Sequence, residues 1–187
     1  MVGRSTRSLG STKDHEVDAP IQIEPYDPAW AASFDTERNL LAEVLKPWLV
    51  GPIEHVGSTA VPGLVAKPII DIMASVESLE ASLPAIDRLA EVGYCYAPYR
   101  RDIMHWLCKP SPEFRTHHLH LVPFPSALWS DRVAFRDRLR ADDALSTEYA
   151  ILKRNLAEMY RNDRESYTEA KRPFIERVLG RQGNGAA

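Results

Sequence analysis

The chain has 187 residues, of which 44% are hydrophobic and 26% charged, a length and balance that fit one soluble globular domain with a real core. Its net charge of −3 excludes the global basic field expected of a protein that binds long nucleic acid. Two cysteines, Cys95 and Cys108, lie outside any Cys-x-x-Cys pair and exclude a disulfide framework or a cysteine zinc site, while the lack of a signal-like segment or a bilayer-length apolar run points to a cytoplasmic protein with no membrane partner.

Residues 1–20 are polar and aperiodic and read as a disordered tail, as do residues 181–187, which leaves 21–180 as a single folded unit. Residues 29–46 read as a helix: Trp30, Phe34, Leu40, Leu41 and Val44 recur near the helical period, and Pro47 marks the exit. VGPIEHV (50–56) is the first core strand, closed by Gly57 and Ser58. TAVPGLVAK (59–67) is a turn or one short helix. PIIDIMASV (68–76) is a second strand, buried on both faces except at its Asp. Residues 78–92 read as a helix capped by Ser78 and ended by Gly93. RDIMHWLCK (101–109) and THHLHLVPF (116–124) are strands of a hairpin joined through PSPEFR. Helices follow over 131–140, 146–161 and 166–179. The plan is α+β: one mixed sheet covered by helices, with a helical C-terminal third.

Asp71 is a lone carboxylate in an apolar strand. Alternate strand side chains share a face, so Ile69, Asp71 and Met73 point one way and Ile70, Ile72 and Ala74 the other. The second set belongs to a core. An isolated buried carboxylate costs several kcal/mol, so Asp71 must face a cleft or a partner; the plainer alternative is a structural Asp paired with an Arg. Gly57-Ser58-Thr59 allows a tight turn whose N–H groups and hydroxyls can cradle a phosphate, although such turns are mostly just turns. The offset of about a dozen residues between that turn and the strand Asp resembles the signature of the nucleotidyltransferase superfamily. There a Gly-Ser turn holds a triphosphate, and Asp-x-Asp/Glu on one strand face holds two magnesium ions.

Position 73, where the second acid belongs, is Met73, which cannot hold magnesium. Candidate replacements are His118 and His120, which share one strand face. His105 on the paired strand and His55 before the Gly-Ser turn are further imidazoles. Asp71, His118 and His120 make a three-ligand set with open positions for a divalent metal: magnesium or manganese by the superfamily pattern, zinc by the imidazoles. The alternative is that these side chains only hydrogen-bond one another. On the helices, Tyr149 with Lys153 and Tyr167 with Lys171 are i, i+4 pairs. They and Arg138 are candidates to meet phosphates, against an ordinary solvated helix face.

The entry IQIEPYDPAWAASFDTE, the core IEHVGSTAVPGLVAKPIIDIMASV, the strand HHLHLV and the tail segments FRDRLRADDALSTEYAILKRNLAEMY and YTEAKRPFIERVL together resemble the GrpB family, also called UPF0157. The resemblance spans nearly all of residues 21–179. It implies a nucleotidyltransferase-like fold and implies that Met73 is no local accident. By motif it carries over His55, Gly57, Ser58, Thr59, Pro62, Gly63, Lys67, Pro68, Asp71, His118, His120, Tyr149, Lys153, Tyr167 and Lys171 as characteristic positions. The expectation is an enzyme that binds a nucleotide or another phosphorylated small molecule and a divalent metal, with Lys67 among the phosphate ligands, and transfers a nucleotidyl group to a small acceptor. Alternatives are a catalytically degenerate module that binds a ligand or a protein partner, and a His/Asp metal-dependent phosphoesterase.

Overall fold

A computed structural model describes residues 20–181; the stretches 1–19 and 182–187, read above as tails, lie outside the described residues. The strands are β1 (Leu49–Val56), β2 (Ile70–Val76), β3 (Cys95–Tyr96), β4 (His105–Pro110) and β5 (Arg115–Pro123). They form one sheet in the order β1-β2-β5-β4-β3. β2 runs parallel to β5, and every other neighbouring pair is antiparallel. This is the mixed α+β plan that the alternating sequence segments imply.

Helices α1 (Ala29–Val44) and α2 (Ala85–Glu91) cover one face of the sheet. Trp30, Phe34 and Leu41 of α1, and Ala85 and Leu89 of α2, meet Ile70, Ile72, Ala74 and Val76 of β2, Leu119 and Leu121 of β5 and Leu107 of β4. Leu41, Ile72, Leu89, Leu107, Leu119 and Leu121 are 0% exposed. Each contributes roughly 1.5–3 kcal/mol through burial. That layer also fixes the register of β2, because a slip of one residue would drive Asp71 into the apolar face.

Two helices differ from the sequence reading, each because of a proline. The helix read over 78–92 forms only from Ala85. In a continuous helix Pro84 would sit in the interior without an N–H to donate, so residues 79–84 turn instead and the helix restarts after it. Ser78 Oγ accepts the Ala81 N–H at 3.0 Å and so closes that turn rather than capping the helix. The C-terminal helix read over 166–179 is split into α5 (Arg164–Glu169) and α6 (Arg172–Val178), with Pro173 in the first turn of α6 where the ring is tolerated. Helices α3 (Ala127–Ala141) and α4 (Asp143–Met159) precede them. Ser126, Asp142 and Asp163 cap α3, α4 and α5 with their side-chain oxygens. This helical third packs on the 61–65 linker through Val61, Leu64, Leu139, Tyr149, Phe174 and Val178. Trp129 and Met104 join Val56, Met73 and Val122 on the second face of the sheet. Among the described residues, no helix is long and apolar enough to cross a membrane.

Candidate functional site

Strand pairing places side chains on the second face in two rows. Val56, Asp71, His118 and Cys108 stand in register across β1, β2, β5 and β4. Two residues along, Glu54, Met73, His120 and Trp106 form the next row. The pleat turns both rows away from the α1–α2 core. His55 and His105 pair with Ile72 and Leu121 in the alternate rows and so face the other way. His105 donates from Nε2 to the Leu79 carbonyl at 2.8 Å and takes no part in the Asp71 cluster.

His118 Nδ1 lies 2.9 Å from Asp71 Oδ1, and His120 Nε2 lies 3.9 Å from the same oxygen. One ligand atom from each of the three residues falls within 4.8 Å of the others. Burial pushes the Asp71 carboxyl up, but the hydrogen bond from His118, with the His120 imidazole beside it, outweighs burial and holds the group well below the usual carboxylate range. Burial, with Arg132 adding to it, pushes His120 down to about 3 against the pull of Asp71, so its imidazole is neutral at pH 7. The hydrogen bond to Asp71 places the His118 proton on Nδ1. The 3.4 Å contact with Met104 Sδ places the His120 proton on its Nδ1. Both Nε2 atoms are then lone pairs, and both are buried without a hydrogen-bond partner among the described residues. A buried acceptor left unmet costs on the order of 1–3 kcal/mol. Two such lone pairs beside an ionised carboxylate fit a divalent cation, and an N2O set suits manganese, iron, nickel or zinc better than magnesium.

The Gly57 turn rests directly on this cluster. Gly57 has φ 73° and ψ −170°, a region essentially reserved for glycine. A Cβ built there would land inside the Asp71 carboxylate, so the residue must be glycine for a second reason. Ser58–Ala60 follows as a single 3-10 turn. The Thr59 hydroxyl donates to the Ile69 carbonyl at 3.2 Å and accepts the His55 Nε2 proton at 3.0 Å. The His55 ring stacks on Phe34 at 4.6 Å between centroids, and burial pushes its imidazole down to about 4. His55 therefore braces the turn from the opposite face of the sheet.

Turn, cluster and C-terminal helices enclose a cavity of about 640 Å³. Ser58, Thr59, Lys67, Tyr149, Tyr167 and Lys171 line it with Asp71, His118 and His120. Lys67 and Lys171 each place Nζ 4.3 Å from the centre of the Tyr167 ring. Burial lowers Lys171 to about 8, with Asp71 opposing. Tyr149 is stacked on Phe174 at 4.9 Å between ring centroids.

Three sequence candidates lie outside the cavity: His55, on the opposite face of the sheet, Arg138 and Lys153. Arg138 is exposed. Lys153 is 2% exposed and donates to the Val65 carbonyl, with the Tyr149 ring 4.9 Å from its Nζ. It pins the linker that carries Lys67, as does the two-bond bridge between Glu24 and Ala66. Among the residues missed in the sequence is Arg132, which lines the cavity. Its signal is a charge falling in the apolar stripe of α3, one turn before the buried Arg136 and beside Trp129.

Burial lowers Lys153 to about 7, with Lys171 and Arg154 adding to the shift. The unfolded chain keeps that proton up to an ordinary lysine pKa of about 10.4. Between these limits the unfolded state binds more protons, so stability rises with pH from 7 toward 10. Lys171 adds in the same direction from about 8. Above pH 10 the buried hydroxyls of Tyr94, Tyr149 and Tyr167, all raised by burial, reverse the trend. Urea midpoints at pH 6.5, 8 and 9.5 should climb in the parent chain and climb less in Lys153→Met; equal slopes would remove Lys153 from this account.

The family described as GrpB protein matches residues 20–181. Glutamate-rich protein GrpB of Alkalihalophilus pseudofirmus is 37% identical over 155 residues, covering 80% of this chain and 88% of its own length. A UPF0157 protein of Pseudomonas aeruginosa is 40% identical over 172 residues, covering 88% of this chain and 68% of its own. The crystal structure of conserved protein GrpB from Enterococcus faecalis superposes with a TM-score of 0.76 at 34% identity, covering 85% of this chain and 95% of that one. With a match across the whole described region and relatives of this identity and coverage, the chain belongs to the GrpB family.

Proposed function

We propose that this cavity binds a nucleotide, or another phosphorylated small molecule, together with one divalent cation, and that the chain transfers a nucleotidyl group from it to a small acceptor. The observation that carries the reading is the seating of the Gly57-Ser58 turn on the Asp71 carboxylate, beside two unmet imidazole lone pairs. The N–H and hydroxyl of Ser58 bind phosphate oxygens, and Lys67 and Lys171 neutralise their charge. Asp71, His118 and His120 hold the cation, which when bound supplies charge neutralisation and polarisation at phosphorus. The Tyr167 ring spaces the two ammonium groups.

A second reading, hydrolysis of a phosphoester at a single ion, is favoured by the position that lacks its acid. Met73 is wholly buried among Val56, Met104, Val122 and Trp129. Glu54 beside it in the row is held by Arg136 Nη1 at 2.5 Å, so this carboxylate does not replace the missing ligand. Incubating the chain with ATP or UTP and manganese, zinc or magnesium separates the readings. Pyrophosphate release that requires the acceptor and leaves the nucleotide joined to it marks transfer, and release of orthophosphate, or of free nucleoside monophosphate, marks hydrolysis. Tight binding with neither product marks a binding module. Manganese or zinc is expected to support more binding than magnesium. The absence of nucleotide binding with every metal would overturn the proposal.

A further inference from the structure

Arg136 and Arg132 stand one turn apart on α3 and have different surroundings. Arg136 is held by two carboxylates and a carbonyl: Nε is 2.7 Å from Asp137 Oδ1, and Nη1 is 2.5 Å from Glu54 Oε2 and 2.9 Å from the His55 carbonyl. Arg132 has no carboxylate partner within ion-pair distance among the described residues. Its hydrogen-bond contact is Met104 Sδ at 4.0 Å, a weak acceptor. Arg132 lines the cavity nonetheless.

Met104 Sδ is also the neighbour of His120 Nδ1, at 3.4 Å, so Arg132 stands behind His120. Lys67 and Lys171 approach from the other end. Lys67 precedes β2, whose first residue Ile70 pairs with His117, whereas Met104 precedes β4, whose first residue His105 pairs with Leu121. Four residues of β5 separate those positions, about 13 Å at 3.3 Å per residue, before either long side chain reaches inward. Cationic groups thus flank the Asp71–His118–His120 cluster at both ends.

We propose that Arg132 is a second oxyanion subsite, and that the ligand carries at least two linked phosphate groups that straddle the cluster, one on Ser58, Lys67 and Lys171 and another on Arg132. The inference rests on the phosphate reading of the cavity given above. A guanidinium offers two parallel N–H donors to one phosphate, which a lysine at the same place cannot. Joining two phosphates that each meet a subsite raises affinity without new contacts.

Calorimetric titration of the full chain with orthophosphate, pyrophosphate and tripolyphosphate, metal-free and with manganese at fixed ionic strength, tests it. Tripolyphosphate should bind at least about tenfold more tightly than orthophosphate. In Arg132→Gln that ratio should fall to about threefold or less. Arg132→Lys, which keeps the charge and is the milder change for folding, should also lose most of the ratio. A ratio unchanged in Arg132→Lys and Arg132→Gln, or no preference for the longer chain in the parent protein, would overturn the subsite while leaving the phosphate cavity in place. No binding of any of the three by the parent protein, either metal-free or with manganese, would overturn the phosphate reading and the subsite with it.

Discussion

Gly57→Ala is expected to destabilise the folded chain by about 2–4 kcal/mol and to weaken ligand binding at the same time. Part of the cost is backbone: φ 73° with ψ −170° is accessible to glycine and costs other residues about 1–3 kcal/mol. The rest is steric, because the new methyl group meets the Asp71 carboxylate and must displace it or the turn. At roughly 2–4 °C per kcal/mol for a chain of this size, the melting temperature should fall by about 5–15 °C. Gly63→Ala is the control. Gly63 also has positive φ, 78°, but a Cβ there meets nothing within 4 Å. It should therefore lose only about 1–2 kcal/mol of backbone strain. Equal losses in the two variants, measured by chemical denaturation, would show that the turn does not press on Asp71.

Asp71→Asn should abolish transition-metal binding while leaving the fold intact. The amide keeps the volume of the carboxylate and an oxygen to accept the His118 Nδ1 proton, so stability without metal should change by about 1 kcal/mol or less. The charge between the two lone-pair nitrogens is lost. Affinity for manganese or zinc should fall by more than the roughly 10–100-fold that removing a hydrogen bond to a metal-ligating residue costs. In the parent chain, metal at a hundred times its Kd should add about 2.7 kcal/mol of stability, and this increment should vanish in the variant. Scanning calorimetry of both proteins with and without the ion gives the answer. An undiminished metal-dependent shift in Asp71→Asn would remove the carboxylate from the site.

Much of this arrangement is legible in the residues. The alternation in PIIDIMASV points Asp71 away from Ile70 and Ile72, and the spacing of His118 and His120 puts them on one face. The parallel pairing of β2 with β5 brings the two sets together. What the sequence withholds is relative register. Nothing local says that Val56, rather than His55, pairs with Asp71, and that single-residue parity sends His55 to the far face. Helix phase is withheld too. Read from 131, α3 offers Arg138; observed from Ala127, with Trp129 packed on the sheet face, it turns Arg132 into the cavity and leaves Arg138 exposed. The Tyr149–Lys153 pair does lie on one helix face, but Lys153 finds the Val65 carbonyl before it reaches the cavity. The prolines at 84 and 173 were visible, and apolar spacing that continued across them hid the breaks.

The most direct test of the central claim is electron spin-echo spectroscopy of Mn2+ added to the full chain with a nucleoside triphosphate. The account predicts one bound ion per chain, with nitrogen couplings from two imidazoles that diminish in His118→Ala and in His120→Ala, and a phosphorus coupling that appears only with the nucleotide. Bound manganese with oxygen ligands alone, or none bound at all, would contradict it.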